Sequence, residues 1–334
     1  MSDAPARDAP LIAVEDLRVY FPSGNKRETV KAVDGVSFTV AAGETFGVIG
    51  ESGSGKSTLG RALVGLVRPT GGRVLHDGED PFALGARDFA RHRRDFLIVF
   101  QDPSAALDPR MTIGHSIREP LDVADETPRS ERDARVLHLL DRVGLDAEFA
   151  RRYPHELSGG QKQRVNIARA LALDPRLIVC DEIVAALDVS IQADLLNLLA
   201  ELQRELGLTY VVITHDLGVV AHIADRIAVM YLGKLVELGP ASRLMEAPLH
   251  PYTRALLSSE PVPLPSVLRT GTKIVLQGEI PSPIDPPSGC RFRTRCWLAA
   301  GRCAEVEPEW RELEPNRFVA CHFAKAAEDP ESAR

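Results

Sequence analysis

Eight consecutive residues, Gly50-Glu51-Ser52-Gly53-Ser54-Gly55-Lys56-Ser57, satisfy the pattern G-x-x-x-x-G-K-[ST] in full. Glycines there let the backbone curl so that successive N–H groups point at one phosphate, and a helix starting at the lysine adds its positive dipole end. Lys56 would hold the β and γ oxygens of a nucleoside triphosphate, and the Ser57 hydroxyl would bind magnesium. Gly50, Ser52, Gly53, Gly55 and Thr58 complete the predicted phosphate site. A glycine-rich turn without chemistry is the plain alternative. The apolar run before the loop and the helical pattern after it favour the phosphate site.

Asp181 and Glu182 follow the apolar run Leu177-Ile178-Val179-Cys180, which places both carboxylates at the carboxyl edge of a sheet, where ligands of open α/β sheets bind. Asp181 would bind magnesium through water, and Glu182 would orient or deprotonate the water that attacks the γ-phosphate. An Asp-Glu pair alone is usually a solvated turn; the strand before it and the loop upstream reverse that reading. His215, after Val211-Val212-Ile213-Thr214, reaches the same edge and would contact the γ-phosphate. Gln101, after Leu97-Ile98-Val99-Phe100, would touch both magnesium and the attacking water. It also opens a helical stretch, so movement there would tie nucleotide state to whatever that stretch contacts.

A second anion site is written into Leu157-Ser158-Gly159-Gly160-Gln161. The glycines bare the start of a helix whose apolar residues Val165, Ala168 and Leu171 fall at helical spacing. Two phosphate-binding helix ends beside one phosphate loop suggest that the second serves another molecule's nucleotide. In isolation, Ser-Gly-Gly reads better as an ordinary N-cap.

The elements that must hold these residues can be read from periodicity. Residues 11–21 and 33–40 alternate apolar and polar side chains about a turn at Pro22-Ser23-Gly24-Asn25, predicting a small antiparallel sheet. Phe46-Gly47-Val48-Ile49 is a short strand before the loop, and Leu59, Ala62, Leu63 and Leu66 mark the helix after it. With the runs at 97–100, 177–180 and 210–213 this predicts a parallel α/β core. Residues 116–123, 131–143 and 146–153 read as an inserted group of helices, the first weakened by Pro120. Two runs joined through Gly233 suggest a hairpin that closes the core. Beyond Pro240 proline density rises, most sharply between Pro261 and Pro287, and loop-dominated structure is expected. No internal repeat is evident, so one nucleotide cassette is expected.

Forty Lys and Arg against 47 Asp and Glu give a net charge of −7, which does not suggest bulk attraction to nucleic acid. No stretch resembles a signal peptide or a bilayer span, so a soluble intracellular chain is expected, with any membrane role exercised through a partner. Cys290, Cys296, Cys303 and Cys321 form C-x5-C-x6-C-x17-C. In a reducing cytosol this reads as metal ligation before disulfides, and the spacing leaves zinc and an iron–sulfur cluster open. Cys180 reads as a small core residue.

Taken together, residues 50–57, Gln101, 157–161, 177–182, Asp188 and His215 resemble the nucleotide-binding subunit of an ABC transporter. Phe100-Gln101-Asp102-Pro103, Tyr153-Pro154-His155-Glu156-Leu157, Ala186-Leu187-Asp188-Val189-Ser190, His250-Pro251-Tyr252-Thr253 and Gly278-Glu279-Ile280-Pro281-Ser282-Pro283 through to Cys321-His322 resemble its oligopeptide/dipeptide importer branch. Asp108-Pro109-Arg110-Met111 and Tyr20-Phe21-Pro22 look more like the second of that branch's two paired ATPases. The resemblance covers roughly residues 11–323.

The resemblance implies a P-loop NTPase core of ABC type, with an N-terminal antiparallel sheet, an inserted helical subdomain and a loop-rich, cysteine-containing C-terminal extension. The implied partition is a disordered tail at 1–10, a nucleotide-binding domain at 11–245 with its helical subdomain at about 102–168, a C-terminal domain at 246–323 and a disordered tail at 324–334. It implies transport-coupled hydrolysis of ATP with Mg2+, and two cassettes dimerised head to tail. Leu157, Ser158, Gly159, Gly160 and Gln161 would bind the partner's ATP, with Ser158 and Gly160 capping its γ-phosphate, and Asp188 would cross the interface. Phe21 would stack the adenine, with Tyr20 the fallback. Implied partners are a second ATPase, as a heterodimer, two transmembrane permease subunits that each place a short helix on the helical insertion, and an external substrate-binding protein. The expected place is the cytoplasmic face of the membrane, and the cysteines would hold a 4Fe–4S cluster, with free thiols or zinc the alternatives. Ile183 and Ala185 depart from the family's usual proline and Ser or Thr, which predicts a less firmly placed Glu182 and a slower ATPase. A soluble ABC protein acting on ribosomes or DNA, and a redox-sensing regulatory ATPase, are the rival readings.

Overall fold

The computed structural model describes residues 9–23, 28–184, 187–259 and 274–325. Ala185 and most of the two predicted tails lie outside those residues. Strand β1 (Ile12–Pro22) pairs antiparallel with β2 (Thr29–Val40), setting Val14 opposite Phe38 and Val19 opposite Val33. Then come β3 (Thr45–Ile49), the phosphate-loop segment and helix α1 (Lys56–Leu63). Strand β4 (Gly71–His76) joins the other side of β1, completing a three-stranded sheet that the sequence pattern had shown only in part.

Helix α2 (Ala86–His92) and β5 (Phe96–Val99) lead to three helices, α3 (Ile113–Ala124), α4 (Arg129–Arg142) and α5 (Gly159–Leu171). Thr112 caps α3 by accepting from the His115 amide. Pro120 stands inside the helix without ending it, since α3 continues to Ala124. The helix predicted over 146–153 is instead a 3-10 turn at Ala147–Arg151. Pro154 accounts for the stop, because a proline disfavours helical geometry in the residue before it.

The chain then runs through β6 (Leu177–Asp181), α6 (Val189–Leu206), β7 (Thr209–Thr214), α7 (Leu217–Ile223), β8 (Arg226–Tyr231), β9 (Lys234–Pro240), α8 (Ala241–Glu246), α9 (Pro251–Ser259), α10 (Gly301–Glu305), β10 (Arg311–Glu314) and β11 (Arg317–Val319). Among the described residues the main sheet has the order β10-β11-β9-β8-β3-β7-β6-β5. Strands β8, β3, β7, β6 and β5 are parallel, and β9 turns back antiparallel on β8 through Gly233 as the hairpin predicted. Strand β11 pairs with β9, Val319 opposite Glu237, so the C-terminal region extends the sheet instead of being loops alone.

Strands β3, β6 and β7 are buried at every position, which is why they read as continuous apolar runs. One core layer lies between the two sheets and α1, where Phe38 stacks on Phe46 with ring centroids 4.8 Å apart. A second unites α3, α4, α5 and α6 through Ile117, Leu140, Val165 and Leu199. Full burial of such side chains contributes about 1.5–3 kcal/mol each, which is what fixes the strand ends that carry the polar residues.

Candidate active site

The phosphate loop joins β3 to α1, with Gly55 at the helix N-cap in a left-handed conformation, φ +106°. A Cβ on Gly55 would come within 2.0 Å of the Ala32 carbonyl oxygen, so this close passage of loop against β2 demands glycine. Lys56 is buried, and its Nζ donates to the carbonyls of Gly50 at 2.7 Å and Glu51 at 3.0 Å. Burial holds its pKa below the ordinary lysine range, while Glu182, Asp181 and Glu51 pull it back up.

The strand ends converge on this loop. The Ser57 hydroxyl donates to Asp181 Oδ1 at 2.9 Å, linking the start of α1 to the end of β6. Asp181 is 4 % exposed, and burial raises its pKa against the opposing Ser57 hydrogen bond and the charges of Arg61 and Lys56. A carboxylate so placed is stabilised by a nearby cation. One residue on, Glu182 accepts from Gln101 Nε2 at 2.8 Å and stands 3.4 Å from His215 Nδ1. Its amide donates to the Ile213 carbonyl, and its backbone is left-handed, φ +52°. Ile183 is buried in the core behind it. The carboxylate is therefore held from two sides without a proline at 183.

Ser52, Gly53, Gly55, Lys56, Ser57, Thr58, Gln101 and Glu182 line one cleft, joined by Val30, Ala32 and Pro283. Phe21, opposite the lining residue Val30 in the β1–β2 pairing, is 39 % exposed, whereas the Tyr20 hydroxyl donates to Asp34. Of the two aromatic side chains, Phe21 is the more exposed.

The signature pentapeptide is elsewhere. Ser158 caps α5, accepting from the Gln161 amide at 3.3 Å, and Gln161 Oε1 accepts from the Ser158 amide at 2.9 Å. Leu157 and Gly160 are buried, while Ser158 and Gly159 are exposed. A Cβ on Gly160 would meet Ile191 Cγ2 at 2.7 Å, so the helix start is seated against α6 by its lack of a side chain. Among the described residues that line the cleft at Lys56, none comes from 157–161. Asp188 is exposed at the N-cap of α6.

The metal ligation expected of the four cysteines finds no support in their arrangement. Among the described residues no group of three or more His, Cys, Asp or Glu is set to hold a metal ion. Cys303 and Cys321 are buried and Cys290 and Cys296 half-buried. Burial pushes the Cys290 thiol up to about 11, with Cys303, Cys296 and Cys321 adding to the rise, and burial likewise raises Cys296. Cys180 is fully buried in β6, as expected of a core residue.

Sequence reading missed Glu51, Tyr252, Pro283 and Arg295. Tyr252 Oη accepts from the Glu51 amide at 2.8 Å, and Arg295 binds the Glu51 carboxylate. Glu51 occupies a free position of its motif, and only the setting of Tyr252 in His250-Pro251-Tyr252-Thr253 offered a signal.

Fold and site define a P-loop ATPase of the ATP-binding-cassette class. Residues 33–185 match the family described as ABC transporter, and residues 236–303 match the oligopeptide/dipeptide transporter C-terminal region. The oligopeptide transport ATP-binding protein AppF of Bacillus subtilis is 51 % identical over 324 residues, covering 95 % of this chain and 98 % of AppF. The structure of cbiO1 from Clostridium perfringens, part of an ABC transporter complex, superimposes with a TM-score of 0.64 at 29 % identity over 72 % of this chain and 92 % of that one. The cassette MJ0796, solved as a dimer bound to ADP and Pi, gives 0.62 at 32 % identity over 69 % and 98 %. The chain belongs to the ABC transporter family, in its oligopeptide/dipeptide importer branch, and is an ABC-type ATPase.

Proposed function

We propose that this chain is the ATP-hydrolysing subunit of a peptide importer, working as one of two cassettes, with a sister ATPase, on two membrane-spanning subunits supplied by an external substrate-binding protein. The observation that carries the reading is the Glu182 carboxylate, held between Gln101 and His215 on the rim of the cleft that Lys56 and Ser57 line. Lys56 binds the β and γ oxygens. Glu182 orients the attacking water and takes its proton, Gln101 fixes that carboxylate, and His215 contacts the γ-phosphate. Ser57 Oγ and Asp181, hard oxygen donors 2.9 Å apart, fit magnesium, with Gln101 beside them. Bound there, the ion would neutralise charge on the phosphates.

Residues 157–161 are proposed to close on the sister's ATP, supported by the exposure of Ser158 and Gly159 and by their position outside the cleft at Lys56. Asp188 is placed at that interface and Phe21 against the adenine. The partition into 11–245, with its helical part at 102–168, and 246–323 remains our reading. The permease helix is assigned to a mainly apolar groove of about 180 Å3 lined by Phe100, Ala106, Pro120, Arg169 and Leu173, among others, where the residues beside Gln101 meet α3 and α5. No helix among the described residues is long and apolar enough to cross a membrane, which fits a peripheral subunit. A 4Fe–4S cluster, or zinc, on Cys290, Cys296, Cys303 and Cys321 rests on the family resemblance and on the nearness of the four thiols. Stoichiometric iron with an absorption band in anaerobically purified protein supports it, and metal-free protein removes it.

The test of the whole reading is purification from detergent-solubilised membranes. Recovery with two integral membrane proteins, and ATPase activity stimulated by peptide with its binding protein, is expected. Recovery with ribosomes, or oxidant-sensitive ATPase activity with no membrane partner, favours the rivals.

A further inference from the structure

Glu51, second residue of the phosphate loop, is gripped by two residues far along the chain. Its amide donates to Tyr252 Oη at 2.8 Å, and its carboxylate takes both terminal nitrogens of Arg295 at 2.6 and 3.0 Å. Tyr252 is fully buried and the Arg295 side chain is 7 % exposed, its guanidinium 6.0 Å from the Tyr231 ring at the end of β8. A two-pronged Arg–carboxylate pair fixes orientation as well as distance, and a buried guanidinium deprived of its partner is costly. The grip reaches the ligand side directly, because the Glu51 carbonyl is one of the two on which Lys56 Nζ rests.

Further contacts run the same way. Arg291 pairs with Asp34 on β2, the residue that also receives the Tyr20 hydroxyl, and donates to the Leu232 carbonyl. The Lys31 amide donates to the Pro283 carbonyl at 3.1 Å, and Pro283 itself lines the cleft. Residues beyond the cassette core thus hold both the loop and the strand that face each other across the cleft.

We propose that Arg295 is a positioning residue for ATP: through Glu51 it fixes the first turn of the phosphate loop, so that the C-terminal region sets the affinity of the cassette for ATP. The proposal rests on residues 50–57 being the ATP site, which Lys56→Ala tests separately. If Lys56→Ala binds ATP normally, the site assignment fails; if it loses ATP while the variants below do not, only the clamp fails.

Arg295→Gln, Glu51→Gln and the double variant are made in the full chain and assayed by fluorescent ATP-analogue titration and, in the assembled transporter, by steady-state ATPase kinetics. Each single variant is expected to weaken ATP binding and raise KM about tenfold while kcat stays within about twofold, the signature of lost ground-state binding. The double variant is expected to be no worse than the poorer single, because one contact is removed twice. Arg295→Lys, which keeps the charge without the fork, should recover only part of the affinity lost in Arg295→Gln. A lowered thermal midpoint with unchanged Kd and KM overturns the proposal, as do additive effects in the double variant. Should Arg295→Gln not fold, Glu51→Gln carries the same prediction, and unchanged ATP affinity in it overturns the clamp.

Discussion

Gln101 Nε2 donates to Glu182 Oε2 at 2.8 Å, tying the segment after β5 to the end of the neighbouring strand β6. Phe100, next to Gln101, is 40 % exposed and lines the apolar groove assigned to the permease helix. Gln101→Ala is therefore expected to lower turnover about tenfold, with ATP affinity within about twofold of wild type, and to weaken peptide stimulation. Stimulated and basal ATPase rates of the reconstituted transporter check both parts.

Lys56 is the buried cation of the cleft, resting on two loop carbonyls. Removing it leaves the loop without its phosphate-seeking charge, so Lys56→Ala should weaken ATP binding by about 100-fold or more. Titration with a fluorescent ATP analogue reads this directly, and the thermal midpoint without nucleotide should move little by comparison.

Ser158 is exposed at the start of α5 and lies outside the cleft at Lys56. Ser158→Arg should block hydrolysis at the site built on the sister's loop and leave this chain's own ATP binding intact. Loss of ATP binding in the isolated variant would contradict a shared site.

His76 provides a pH prediction remote from catalysis. Its Nε2 faces the Leu63 carbonyl at 2.7 Å, so that nitrogen carries the proton and Nδ1 accepts from His92 at 2.8 Å. Burial lowers its pKa from 6.5 to about 4. The unfolded chain takes up a proton near 6.5 that the folded chain refuses until about 4, so this stability is present above the first value and is lost as pH falls toward the second. The loss amounts to roughly 3 kcal/mol at most. Urea midpoints measured across that interval should fall less steeply in His76→Asn than in wild type.

The phosphate loop, the Asp181-Glu182 pair and His215 drew notice in the sequence because each directly follows a run of buried apolar residues, and Gln101 because it follows an apolar run that is only partly buried. Strand β10 was not, because Arg-Glu-Leu-Glu has no apolar face and pairs only where β11 brings it. The turn at Ala147–Arg151 was misread as a helix because helix-forming side chains outweighed the effect of Pro154 on the residues before it. The clamp on Glu51 was invisible for another reason: Arg295 lies 244 residues away, and a pair at that separation leaves no local pattern. The cysteine spacing, by contrast, was legible as a group without disclosing whether the thiols converge as metal ligands.

If Glu182 activates water at a site whose ATP is held by Lys56, hydrolysis depends on its proton-accepting oxygen. Glu182→Gln keeps the size of the side chain and the hydrogen-bonding reach toward Gln101 while removing the proton acceptor. Single-turnover hydrolysis in the assembled transporter should fall by about 100-fold or more, with ATP affinity equal to or tighter than wild type. Hydrolysis within about threefold of wild type, with ATP bound equally well, would contradict that assignment.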